Sequence, residues 1–160
     1  MSTDISSSAR AHKESWLPIL DLAVEEVFEI MLGCRVKAVA PSECAVHAEF
    51  TAMVGLAGSL CGVLTVRCDA ETARQVAKSM LGDTADTEQQ VADALGEICN
   101  MVAGNFKNKL AGADERCLLS VPTVISGGEY KFRSMTDGDM VDTVLLFEGA
   151  PVAVCLQLQV

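Results

Sequence analysis

Two polar residues near the middle of the chain have the types and the spacing that could do chemistry. Glu97 and Asn100 stand three positions apart, and a helix would place their carboxylate and carboxamide side by side on its surface. On the same helical geometry, three further residues fall within roughly 80° of the pair, namely Asp93, Gly104 and Asn108. Because a two-residue pattern is weak evidence, an ordinary solvated helix face is the simpler interpretation of the pair alone.

The stretch that carries these residues, 86 to 110, predicts the longest helix of the chain. At about 100° per residue, its apolar side chains fall on one side, which we expect to face a core: Val91, Leu95, Ile98, Val102 and Phe106. Thr87 is the predicted N-cap. Gly104 interrupts the polar side, where a glycine costs on the order of 1 kcal/mol relative to alanine. Close approach of another backbone or molecule would explain it.

The elements around this helix predict an α+β fold of three helices packed on a largely antiparallel sheet. Residues 1–12 are predicted to be a flexible segment, and residues 13–160 a single domain that opens with a helix over 13–32. Strands are predicted over 35–40 and 43–50, a hairpin over 54–66 with residues 55–58 at or near its turn, and alternating strands to the C-terminus. Asp69 and Gly82 bound the second helix.

A weak internal repeat of helix followed by strands is also visible. Asp21, Glu25 and Phe28 in the first helix can be laid over Asp93, Glu97 and Asn100 in the third. We expect these two helices to lie side by side, each with its Asp-x-x-x-Glu face outward.

Composition excludes several classes of function. Of 160 residues half are hydrophobic, and the net charge of −10 argues against nucleic acid or an anionic membrane as the main partner. The apolar runs are too short to span a bilayer and no signal peptide is visible, so we expect a cytoplasmic protein. Seven cysteines without a CxxC pair, and only two histidines, match neither a zinc site nor a disulfide framework. No metal site, serine nucleophile or Gly-rich phosphate loop is predicted.

Several short sequence words together resemble the CheC/CheX chemotaxis phosphatase family. The words are GSLCG at 58–62, SMLG at 79–82, D-x-x-x-E-x-x-N-M-V-A-G-N at 93–105, and a following proline, Pro122. The resemblance runs from about Trp16 to the C-terminus. CheC-type members carry the Glu-x-x-Asn word twice, whereas this chain has Phe28 where the first asparagine would stand. The single intact copy is similar to CheX, whose members are usually dimers.

The resemblance implies hydrolysis of the aspartyl phosphate on a CheY-like response regulator. In this role Asn100 would orient water and Glu97 would anchor the partner, while Asp93, Gly104 and Asn108 would line the contact. The chain would need no cofactor of its own, since the response regulator supplies Mg²⁺. The resemblance also implies a homodimer. Two alternatives stay open: a non-catalytic module that binds a response regulator or a flagellar switch component of the FliM/FliY type, and a purely structural dimer domain.

Overall fold

The helices and most of the strands follow one another in the order that the sequence predicts. The computed structural model describes residues 4–110, 116–128, 130–133 and 138–159, with side chains from residue 13 onward. Within these ranges it contains three α-helices, α1 (Asp4–Leu32), α2 (Ala70–Leu81) and α3 (Glu88–Lys109). The strands of the same ranges are β1 (Ala38–Val39), β2 (Phe50–Gly58), β3 (Cys61–Cys68), β4 (Cys117–Leu119), β5 (Thr123–Ser126), β6 (Asp139–Phe147) and β7 (Ala150–Gln159).

The strands form one antiparallel sheet in the order β1-β6-β7-β3-β2-β4, and β5 pairs with β2 beside β4. Alternate residues of β7 are buried, as its sequence predicts: Val152, Val154, Leu156 and Leu158. The three helices pack on the sheet, with α3 against β2 and β3, α1 against β6, and α2 against β7. The predicted α+β fold is therefore confirmed. No helix of the described ranges is both long and apolar enough to cross a membrane.

The predicted ends of α2 and α3 are explained by capping. The Thr87 side chain accepts a hydrogen bond from the Gln90 backbone N–H at 3.2 Å, and the Gln90 side chain accepts one from the Thr87 N–H, which completes a capping box. Asp69 accepts the N–H of Thr72 at 2.7 Å at the start of α2. Hydrogen bonds from the Thr72 hydroxyl and from the Thr72 N–H lower the pKa of Asp69.

Three predicted boundaries differ from the structure. α1 begins at Asp4 rather than near residue 13, and the predicted flexibility of residues 1–12 stays a prediction. Residues 44–49 contain no strand, although their sequence alternates. The hairpin turns at 59–60, directly after Gly58, which has a positive φ of 124°. Gly55 lies further back, inside β2, where it pairs with Val63.

The prediction that both Asp-x-x-x-Glu faces point outward is wrong for α1. α1 lies against α3 as predicted, but its Glu25 carboxylate accepts the Ala38 N–H of β1 at 3.1 Å. Asp21 faces Thr143 of β6, and its Oδ1 is buried without a hydrogen-bond partner among the described residues. Burial raises the pKa of the Asp21 carboxyl. The sheet edge formed by β1 and β6 therefore covers the part of α1 that does not pack against α3.

Phe28, which replaces the asparagine in the α1 copy of the pattern, belongs to the core. Its side chain is fully buried, and its ring centre lies 5.8 Å from that of Phe147 in an edge-to-face contact. We expect Phe28→Asn to lower the free energy of unfolding by about 3 kcal/mol, because it removes apolar contacts and buries an amide. Urea denaturation measures the loss. The control is Ile30→Asn on the same helix, 76% exposed, which should change stability by no more than about 0.5 kcal/mol. Equal losses in the two variants would contradict the core assignment.

Candidate functional site

α3 displays Glu97 and Asn100 together on its polar face. Glu97 is exposed and Asn100 is half-buried. Among the side-chain interactions between described residues, none involves either of these two side chains. Asp93, one turn before Glu97, is exposed and accepts a hydrogen bond from the Gln89 amide at 2.8 Å. A carboxylate and a carboxamide that have no partner among the described residues are thus available to a molecule that approaches this face.

The opposite face of α3 fixes the position of the pair. Buried side chains alternate with the polar ones along the helix: Val91, Leu95, Ile98, Cys99, Val102 and Phe106. Near its end, the Asn105 amide donates to the backbone oxygen of Ala23 at 3.2 Å and to Glu26 at 2.9 Å. Lys109 lies 2.8 Å from the same Glu26 carboxylate. Hydrogen bonds from Lys109 and Asn105 lower the pKa of Glu26. Glu97 and Asn100 therefore project from a helix anchored at both ends, as a preorganised site requires.

A groove of about 500 Å³ runs along the start of this face. One wall is α3, with Asp93 and Glu97. The other is the connection from β4 to β5, with Val121 and Pro122, together with Val124 of β5. The walls meet at Gly96, where a methyl group would lie 3.3 Å from Cβ of Pro122 and 3.4 Å from Cγ2 of Val124. Gly96 thus lets the connection pack directly on the helix.

The predicted site residues are therefore only partly brought together. Asp93 and Glu97 line the groove, whereas Asn100, Gly104 and Asn108 continue the same helix face beyond it. Sequence reasoning singled out Pro122 and missed the other residues of the groove that the structure adds: Gln89, Ala92, Gly96, Val121 and Val124. The adjacency of residues 96 and 122 could not be seen from spacing, since it depends on how β4 and β5 pair with β2.

Packing among the described residues does not explain Gly104. A methyl group at this position would lie 3.8 Å from Cδ1 of Leu119, an ordinary van der Waals contact. We expect Gly104→Ala to raise the free energy of unfolding by about 0.5–1 kcal/mol, the helix-propensity gain of alanine. Chemical denaturation tests this, with Gly96→Ala as the matched control, which should gain less because its methyl group presses on Pro122. A loss of stability in Gly104→Ala would show an unrecognised packing constraint.

A second hollow of about 320 Å³ lies between the starts of α2 and α3. Its polar groups already interact: Ser126 donates to Glu88 at 2.7 Å, and Ala70 N–H donates to Glu49 at 3.2 Å. Arg74 lies 3.5 Å from Glu71. This hollow therefore offers fewer unpaired groups than the face with Glu97 and Asn100.

The cysteines do not supply a nucleophile for the groove. All seven are free, and none lines it. Burial raises the pKa of Cys68 and of Cys99 to about 12, and that of Cys155 to about 11, so these thiols stay protonated near neutral pH. Among the described residues, no three histidine, cysteine, aspartate or glutamate side chains lie close enough together to hold a metal ion.

The residues that form α3 and the groove lie within a stretch that matches a known protein family. The profile of the family described as chemotaxis phosphatase CheX matches residues 50–144, which include all of α3. The CheY-P phosphatase CheX of Thermotoga maritima is 30% identical over 118 residues, 70% of this chain and 76% of that protein.

Solved structures share the fold. The chemotaxis protein CheX of Vibrio vulnificus superposes with a TM-score of 0.77 at 20% identity, over 90% of this chain and 96% of that one. CheX in a CheX–CheY–BeF3–Mg²⁺ complex from Borrelia burgdorferi gives a TM-score of 0.72 at 24% identity, over 91% and 98% of the two chains.

Proposed function

The chain belongs to the chemotaxis phosphatase CheX family, and from this premise we propose that it accelerates hydrolysis of the aspartyl phosphate of a CheY-like response regulator. One observation supports the assignment of this activity to particular residues. Glu97 and Asn100 lie side by side on α3, accessible and unpaired among the described residues, within the stretch that the family profile matches. The proposed partner places the activity in the cytoplasm.

In the proposed reaction, the oxygen of a water molecule forms a bond to phosphorus while the bond between phosphorus and the aspartyl oxygen breaks. Inorganic phosphate leaves, the aspartate carboxylate is regenerated, and a proton passes to solvent. Such a transfer depends mostly on positioning and on charge stabilisation. The Asn100 carboxamide suits the positioning role, because it accepts one hydrogen bond and donates another without carrying charge.

Glu97 is the proposed anchor. Its carboxylate is exposed at the groove beside Asp93, where it can pair with a basic side chain of the regulator near the phosphoryl group. Asp93 and Asn108 then lie at the rim of the contact, and Gly104 gives room for a regulator loop. The Mg²⁺ of the reaction belongs to the regulator in this proposal, where it stabilises charge on the phosphoryl oxygens. The described side chains of this chain offer no cluster that would hold it.

The test of the proposed function is phosphate release. Each CheY-type receiver domain of the source organism is phosphorylated with a small phosphodonor, and its dephosphorylation is followed with and without the full chain. We expect a substoichiometric amount of the chain to accelerate phosphate release from at least one receiver. Binding of the BeF3-loaded receiver without any acceleration would identify a non-catalytic binding module instead. Neither binding nor acceleration with any receiver would leave only the structural alternative.

A homodimer is also proposed. β1 covers the outer edge of β6 only at Val144 and Leu145, so residues 140–143 have no strand partner on that side within the described part of the chain. An open edge is a template for pairing with a second copy, and Met140 on it is 55% exposed. We expect light scattering at micromolar concentration to give twice the mass of one chain. The mass of a single chain across that range would contradict the dimer.

A further inference from the structure

Val121 has an exposed apolar side chain, and contacts hold the residues directly before and after it in place. Its side chain is 84% exposed. Before it, the Ser120 N–H donates to the Gly55 oxygen at 2.9 Å, and the Ser120 hydroxyl accepts the Gly55 N–H at 2.8 Å and donates to the Val121 oxygen at 3.1 Å. After it, Pro122 packs on Gly96 of α3. The backbone thus holds Val121 outward in one place.

Val121 shares the groove with the carboxylates of Asp93 and Glu97. No lysine or arginine is among the described residues that line this groove. A surface that complements it must therefore combine a basic group with an adjoining aliphatic patch. Single exposed apolar residues are common on protein surfaces and carry no meaning alone. A rigid one beside the proposed anchor is positioned to add apolar contact area to the same interface.

We propose that Val121 is a docking residue for the response regulator, contacting an aliphatic side chain that lies next to the basic group paired with Glu97. The inference rests on the proposed function and adds to it a residue outside α3. Because the connection between β4 and β5 is already ordered, its contact with the regulator requires little further loss of conformational freedom. Val121 should therefore contribute to affinity and to the choice among receivers, and should not affect the chemical step.

Leu118 provides a matched control on the same sheet edge. It is 74% exposed, but its neighbours on β4, Cys117 and Leu119, face α3: Cys117 is buried and Leu119 lies against Gly104. Since successive residues of a strand point to opposite faces, Leu118 points away from α3 and the groove. Both positions thus carry an exposed apolar side chain, but only that of Val121 lies on the side of the groove.

The experiment compares full-length wild type, Val121→Ser, Val121→Ile and Leu118→Ser. The probe is the BeF3-loaded receiver domain whose dephosphorylation the wild type accelerates, and calorimetry gives its Kd. We expect Val121→Ser to raise Kd about tenfold, with Val121→Ile and Leu118→Ser within about twofold of wild type. The dephosphorylation rate at saturating chain should be the same for all four. Circular dichroism and melting curves check that each variant is folded.

Four outcomes would overturn the inference. An unchanged Kd in Val121→Ser removes the docking role while the proposed function stands, because wild-type acceleration is measured in the same series. A fall in the saturated rate with Kd unchanged assigns Val121 to the chemical step. A loss of dimer mass in Val121→Ser alone, seen by light scattering, assigns the residue to contact with a second copy. If the wild type accelerates no receiver, the proposed function fails and the inference fails with it.

Discussion

Asn100→Ala is expected to abolish the acceleration of aspartyl-phosphate hydrolysis while leaving regulator binding nearly unchanged. Without the carboxamide, no side chain at this position orients the attacking water, and positioning of one water supplies several kcal/mol of barrier lowering. We expect the saturated rate to fall by about a hundredfold to a thousandfold, or about 3–4 kcal/mol. Stability should change little, since the Asn100 side chain makes no hydrogen bond among the described residues.

The matched control for this variant is Asn108→Ala on the same face of α3. Asn108 is exposed and lies about 12 Å further along the helix axis, at about 1.5 Å per residue. Removing its amide should leave the saturated rate unchanged and weaken regulator binding only slightly, as suits a residue at the rim. If Asn108→Ala and Asn100→Ala lose the same fraction of the rate, the effect reflects damage to α3 and not loss of the positioned water.

Glu97→Ala is expected to weaken regulator binding by about 2–5 kcal/mol if its carboxylate pairs with a desolvated basic group. Much of that cost would come from the basic group left buried without a partner. Titration of the BeF3-loaded receiver measures the change in Kd. Because the interaction is ionic, the difference between wild type and variant should shrink as salt is raised.

The control for Glu97→Ala is Glu71→Ala, which removes the same charge from an exposed helical position. Glu71 lies on α2, outside the groove, where it accepts an exposed hydrogen bond from the Gln75 amide at 3.2 Å and lies 3.5 Å from Arg74. Its loss should leave Kd within about twofold, since exposed ion pairs contribute little. An equal rise in Kd for Glu71→Ala would mean that general charge, not a specific pairing at Glu97, sets the affinity.

The helix that carries the site could be predicted because its information is local. Apolar residues at helical spacing, a capping threonine and a last turn with lysines all lie within residues 86–110, and the structure has α3 over Glu88–Lys109. The groove could not be predicted in the same way. It depends on Gly96 meeting Pro122, and that contact follows from strand pairing between distant parts of the chain. Gly104 stood out in the sequence, but no described residue packs closely enough on it to require a glycine there.

The two copies of the Asp-x-x-x-Glu pattern show the same limit. On α3 the pattern is accessible, whereas on α1 Glu25 bonds to β1 and Asp21 is half-buried beside Thr143, with its Oδ1 buried. Identical spacing gives identical positions on a helix but says nothing of what covers them. Phe28 was the informative difference, since a large apolar residue in the third position indicates a face that packs.

The most direct measurement is the dephosphorylation rate of a phosphorylated receiver at rising concentrations of wild type, Glu97→Ala and Asn100→Ala. If Glu97 anchors the regulator and Asn100 positions water, the rate with Glu97→Ala should climb toward the wild-type plateau as the regulator becomes saturated. The rate with Asn100→Ala should stay near that of the regulator alone at every concentration. A wild-type plateau in Asn100→Ala, with its fold verified by circular dichroism, would contradict the assignment of this site.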